Sequence, residues 1–143
     1  MENENKFDHI QKIILLLIYN SYRWKYLENQ ESAMQITGEL KNNAFVVNLK
    51  GRIDMETSDE LNTILGGYLE GNFTPFILNC KELEYINSSG LTSFINLSQM
   101  LERFQLKLLF CELQPPVKEV IDIADMGTYF NIYPTEKETF ENL

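Results

Sequence analysis

The sequence predicts an α/β domain: a mixed, mostly parallel sheet of about five strands with helices, preceded by an N-terminal extension. Three observations carry that expectation. Near-continuous apolar runs, Phe76-Ile77-Leu78 and the LKLLFC stretch ending at Cys111, suit strands covered on both faces. Around them, apolar residues recur at helical spacing. Leu91, Phe94, Ile95, Leu97, Leu101 and Phe104 make one face, and Val117, Val120, Ile121 and Ala124 another. The resulting order is β-β-α-β-α-β-α-β-α, in which helices alternating with apolar strands imply parallel pairing after an initial hairpin.

Taken in order, residues 1–33 differ from the rest. A polar, acidic start (ENENKFDH) leads into IILLLIY and then SYRWKYLENQES. Seven apolar residues are too few to span a bilayer, which needs about 20, and neither a basic start nor a small-residue cleavage site marks a secretory signal. The stretch fits either an added helix, packed on the domain or on a partner, or a start codon set upstream of Met34. From Met34 to the C-terminus lies the domain itself. MQITGEL and AFVVNLK read as strands joined by a turn at Lys41-Asn42-Asn43, where Asn tolerates left-handed backbone. Gly51-Arg52-Ile53-Asp54 reads as a turn-like loop. Thr57-Ser58-Asp59-Glu60 reads as a capping box opening a helix, with Leu61, Ile64, Leu65 and Tyr68 on one face and a weak point at Gly66-Gly67. After the Phe76 strand and a short loop holding Glu82 and Glu84, Ser88-Ser89-Gly90 opens the next helix. Pro115-Pro116 sits where a first helical turn tolerates proline, and Gly127 stops that helix. Tyr129 to Tyr133 gives a last strand, and Thr135 with Glu138 caps a terminal helix carrying Phe140.

Composition narrows the function classes. At 143 residues with 44% hydrophobic content, the chain suits one folded domain with its own core. A net charge of −9 argues against nucleic acid, whose affinity comes from clustered Lys and Arg. Cys80 and Cys111 each end an apolar run and read as small buried hydrophobes; they supply neither a disulfide framework nor a metal site, and reduced, cytoplasmic conditions fit. The single histidine, His9, has no constellation around it. With no G-x-S-x-G elbow and no Gly-rich phosphate loop, nucleophilic or nucleotide chemistry has no machinery. Neither a cofactor nor a metal is implied.

Two hydroxyls, Ser88 and Ser89, stand where a helix begins, beside its unpaired N–H groups and positive dipole end, a setting that favours an added phosphate. Local chemistry alone favours an ordinary Ser N-cap over an acceptor. The wider pattern weighs more. The Gly51-Arg52-Ile53-Asp54 segment, the Tyr85-Ile86-Asn87-Ser88-Ser89-Gly90-Leu91 segment, and the strand–Pro-Pro–helix with Gly127 and YFNIY follow one another over about 110 residues. In this the chain from Met34 onward resembles the STAS domain, and within it the bacterial anti-sigma-factor antagonists.

The resemblance implies a phosphorylation-controlled binding module without enzyme activity. In that family the unphosphorylated antagonist binds an anti-sigma factor that is also a serine kinase, so releasing a sigma factor. The kinase phosphorylates the serine after the acidic position of a D-S-S-G-type motif, and a metal-dependent serine phosphatase reverses it. That serine maps onto Ser88, with Ser89 as the lesser acceptor. The implied contact surface holds Arg52, Asp54, Asn87, Ser89, Gly90, Leu91, Thr92, Ser93 and Asn96, with Thr92, Ser93 and Asn96 expected on an exposed helix face. Asn87 replaces the family's frequent Asp, so one local charge is missing. Leu91-Thr92-Ser93-Phe94 replaces a smaller run, which bears on partner identity. The alternative is a constitutive STAS subunit of a lipid-transport or signalling complex, lacking the phosphoswitch.

Overall fold

The computed structural model describes residues 10–18 and 34–143; His9 and the SYRWKYLENQES segment lie outside them. The chain divides into two units, Met1–Ser32 and Ala33–Leu143. In the first, residues 10–18 form a helix, α1, whose Ile10, Ile13, Ile14, Leu16, Leu17 and Ile18 are all exposed.

The second unit is a five-stranded sheet in the order β1-β2-β3-β4-β5. β1 (Met34–Lys41) and β2 (Ala44–Ile53) form the expected antiparallel hairpin, and the left-handed φ of 54° at Asn42 makes its turn. β2 then pairs in parallel with β3 (Phe76–Ile86), β3 with β4 (Leu108–Cys111), and β4 with β5 (Asn131–Tyr133). Crossover helices join these parallel strands: α2 (Met55–Gly71), α3 (Ser88–Glu102) and α4 (Pro115–Ile123). The short α5 (Glu136–Glu141) follows β5, opened by the Thr135 hydroxyl, which accepts from the Glu138 N–H.

Alternation along the strands sorts the core into two faces. On one, Phe45 meets Phe76 and the Tyr68 ring of α2, while Phe110 meets Phe94 of α3 and Phe130, with ring centroids 4.7–5.2 Å apart. On the other, Ala44, Val46, Ile77, Leu109 and Cys111 are buried under Tyr133 and Phe140. A polar clasp closes this side. Glu136 accepts from the Asn79 side-chain amide at 2.8 Å and from the Lys41 ammonium at 3.0 Å, joining α5 to the hairpin and the central strand.

The structure corrects several sequence expectations. Gly51-Arg52-Ile53 is the last part of β2 rather than a loop, and Glu82 and Glu84 lie within β3. Between Asn48 and Ile53 on β2, the partner strand advances from Asn79 to Ile86, two residues further, so β3 carries two bulges. Their irregular alternation hides the strand from a period-two reading. α2 begins at Met55 and continues through Gly66-Gly67 to Gly71. Phe104 is 53% exposed, stacked edge-on against Phe73 instead of entering the core. α4 ends at Ile123, and Asp125, with φ 57°, takes the left-handed position assigned above to Gly127.

Candidate functional site

β3 is long where β4 and β5 are short. Only Phe76–Asn79 pairs with β4, so from Cys80 to Ile86 the strand runs on beside β2 alone. The two strands finish in register, Ile53 opposite Ile86, and each is followed at once by a helix. The Asn87 N–H donates to the Ile53 carbonyl at 3.2 Å. Two helix N-termini therefore open side by side at the carboxyl edge of the sheet.

Each has an Asx cap. Asp54 Oδ1 accepts the N–H groups of Glu56 (2.9 Å) and Thr57 (3.1 Å), and Thr57 Oγ1 returns the favour to the Asp54 N–H at 2.9 Å. The capping box thus starts at Asp54, three residues earlier than Thr57-Ser58-Asp59-Glu60 implied; Thr57 closes it. Over α3, Asn87 Oδ1 accepts the N–H groups of Ser89 (2.9 Å) and Gly90 (3.4 Å). Asn87, not Ser88, is the N-cap. A carboxamide oxygen does this work without a charge, so the Asp-to-Asn departure leaves the helix start intact.

With the cap supplied by its neighbour, Ser88 occupies the first helical position and is exposed. Ser89 is half-buried. Gly90 is fixed by packing: a Cβ there would stand 2.9 Å from Ile53 Cγ2 and 3.2 Å from the Cβ atoms of Ile53 and Ile86, both fully buried. The α3 backbone rests directly on the ends of both strands, which fixes where Ser88 is presented.

The other expected contact residues divide. Thr92 and Asn96 are exposed and Leu91 half-buried on α3. Thr92 Oγ1 donates to the Ser88 carbonyl at 2.9 Å. Ser93 is not on the exposed face as expected: it is 2% exposed, its hydroxyl donating to the Ser89 carbonyl at 3.1 Å. A buried hydroxyl satisfied by its own helix reads as apolar packing on the sheet side. Asp54 is half-buried, its Oδ1 engaged in capping α2. Arg52 is exposed but held: its guanidinium lies 4.3 Å from the centroid of the Tyr85 ring, a cation–π contact. Arg52 and Tyr85 precede Ile53 and Ile86, so alternation sends them to the opposite sheet face from Gly90. Ile53, which seats α3, was missed because it sat inside an apparent turn; its apolar character amid polar neighbours was the available signal.

Among the described residues, no group of three or more His, Cys, Asp or Glu is placed to hold a metal ion, and no helix is long and apolar enough to cross a membrane. Both cysteines are buried and free, and burial pushes the Cys80 thiol pKa far up and that of Cys111 up to about 12.

The STAS domain model matches residues 35–139. The chain belongs to the STAS domain family. Its relatives and structural neighbours include anti-sigma factor antagonists. The anti-sigma F factor antagonist of Paenibacillus polymyxa is 24% identical over 111 residues, covering 77% of this chain and 95% of its own. An anti-sigma factor antagonist from Mycobacterium paratuberculosis superposes with a TM-score of 0.70 at 18% identity, over 78% of this chain and 95% of that one. The anti-sigma factor antagonist SpoIIAA, in its unphosphorylated form, gives 0.63 at 22% identity, over 77% and 95%; SpoIIAA of Bacillus has also been solved in a phosphorylated form.

Proposed function

We propose that this STAS domain is an anti-sigma-factor antagonist controlled by a phosphate on Ser88. Unphosphorylated, it binds an anti-sigma factor that is also a serine kinase and so frees a sigma factor. Phosphorylation of Ser88 ends that binding, and a metal-dependent serine phosphatase restores it. One observation carries the reading: Ser88 is an exposed hydroxyl on the first turn of α3, spared from capping duty by Asn87. A kinase has access to it, and transfer there removes no hydrogen bond that starts the helix.

The consequence of transfer follows from charge. A phosphate adds about −1.5 to −2 at pH 7. At a helix N-terminus the dipole and N–H groups accommodate it, so the fold survives. Asp54 and Glu56 already make the neighbouring helix start acidic. The added charge therefore opposes carboxylates on a partner and raises the desolvation cost of the docking face. The fold stays constant and the complex is what switches. The contact surface on this reading comprises Asp54, Asn87, Ser89, Gly90, Leu91, Thr92 and Asn96, with Arg52 at its far margin and Ser93 supporting it from below.

Mass spectrometry of the protein isolated from its own cells, with its co-purifying proteins, tests the assignment. Phosphate on Ser88, together with a serine kinase bound only to the unmodified fraction, is the expected result. A stably associated protein present equally with modified and unmodified chain contradicts it.

A further inference from the structure

We infer that residues 10–26 dock this protein on the surface of an anionic lipid bilayer. Six consecutive apolar residues, Ile13-Ile14-Leu15-Leu16-Leu17-Ile18, cover every side of a helix with 3.6 residues per turn. α1 has no single apolar stripe of the sort that seats a helix on a globular core or in a two-stranded seam. Five of these six side chains are exposed, from 42% at Ile18 to 61% at Leu17, and Leu15 is half-buried. The stretch from Ile13 to Ile18, apolar all round, calls for an apolar medium rather than a groove. It is much too short to cross a bilayer, so the fit is to the boundary between headgroups and acyl chains.

The flanking sequence points to the same medium independently. Tyr19, Tyr22, Arg23, Trp24, Lys25 and Tyr26 follow at once. They place three tyrosines and the chain's single tryptophan, the residues that favour the headgroup level, among cations. From residue 10 to residue 26 there are three cations, Lys12, Arg23 and Lys25, and no Asp or Glu. Removing those three charges from a chain of net −9 leaves −12 on the rest. A positive, aromatic segment on so acidic a protein has its complement in an anionic surface, and Lys12, alone on the apolar turns, has a side chain long enough to snorkel to the headgroups.

Flotation of the full-length protein with phosphatidylcholine vesicles, with and without phosphatidylglycerol, tests this. Wild type floats with the phosphatidylglycerol vesicles, and less so as salt rises. Each cation near such a surface contributes about fivefold in affinity, so Arg23→Glu with Lys25→Glu weakens binding by about 25-fold or more. Leu16→Glu with Leu17→Glu abolishes it while the circular dichroism of the domain is unchanged. Wild-type protein that stays with neither vesicle overturns the inference. So does equal binding to both vesicles, or self-association lost in the Leu16→Glu, Leu17→Glu variant without any flotation, which would make a second copy the occupant of α1.

Discussion

Replacing Gly90 with alanine measures how tightly α3 is seated on the strand ends. A methyl at that position lies 2.9 Å from Ile53 Cγ2 and 3.2 Å from the Cβ atoms of Ile53 and Ile86. Two of those three atoms are branch points on strand backbone, and both isoleucines are fully buried, so none can swing aside as the tip of a flexible side chain would. Overpacking of this kind costs about 1–3 kcal/mol. Alanine returns up to about 1 kcal/mol through helix propensity. With the full propensity gain deducted the net loss is up to about 2 kcal/mol, read as a lower urea midpoint with an unchanged slope. Gly66→Ala is the matched control. It sits inside α2 with no atom within 4 Å of the added Cβ, and so gains about 0.5–1 kcal/mol. The two glycine substitutions move the midpoint in opposite directions. Stabilisation of Gly90→Ala equal to that of Gly66→Ala would refute the close approach of α3 to Ile53 and Ile86.

Three further outcomes follow from the same geometry. Asn87→Ala removes the acceptor for two N–H groups and costs about 1 kcal/mol, whereas Asn87→Asp retains it, as urea melts of both variants report. Phe94→Ala costs about 3–5 kcal/mol in the same assay and Phe104→Ala under about 1 kcal/mol, because Phe94 is fully buried against Phe110 and Phe104 is half out in solvent. The cysteines give a pH dependence: burial raises both thiols above their ordinary value of 9.0, so above about pH 9 the unfolded chain has lost thiol protons that the folded chain keeps. Their contribution to stability, fully present below that pH, therefore declines as pH rises toward the folded values; a Cys80→Ala, Cys111→Ala variant loses stability less steeply across that window.

The sequence showed the architecture where period and burial agree. Phe76-Ile77-Leu78 and the Leu108–Cys111 part of LKLLFC are covered on both faces, Pro115-Pro116 starts a helix, and the Asn42-Asn43 turn closes the hairpin. It misled where two patterns compete. β3 continues from Cys80 to Ile86, but its two bulges break alternation, and exposed Glu82 and Glu84 resemble a loop. The same feature hid the site. Because Gly51-Arg52-Ile53 and Glu82-Leu83-Glu84 read as connections, the twin caps Asp54 and Asn87 were not seen to stand on adjacent strand ends. Both caps were placed late, at Thr57 and Ser88, since hydroxyl and Asx side chains crowd the first turn and each is a competent cap. Ser93 was placed outside because helical spacing alone assigns a small hydroxyl to either face; its bond to the Ser89 carbonyl is what lets it sit inside.

Affinity of the unmodified chain, the Ser88-phosphorylated chain and the Ser88→Ala and Ser88→Asp variants for the co-purifying kinase tests the regulatory reading most directly. Like-charge juxtaposition worth about 3 kcal/mol is about a hundredfold in Kd, so phosphorylated protein and Ser88→Asp should bind at least that much more weakly than Ser88→Ala, with unchanged thermal unfolding of each. Four equal affinities would contradict it.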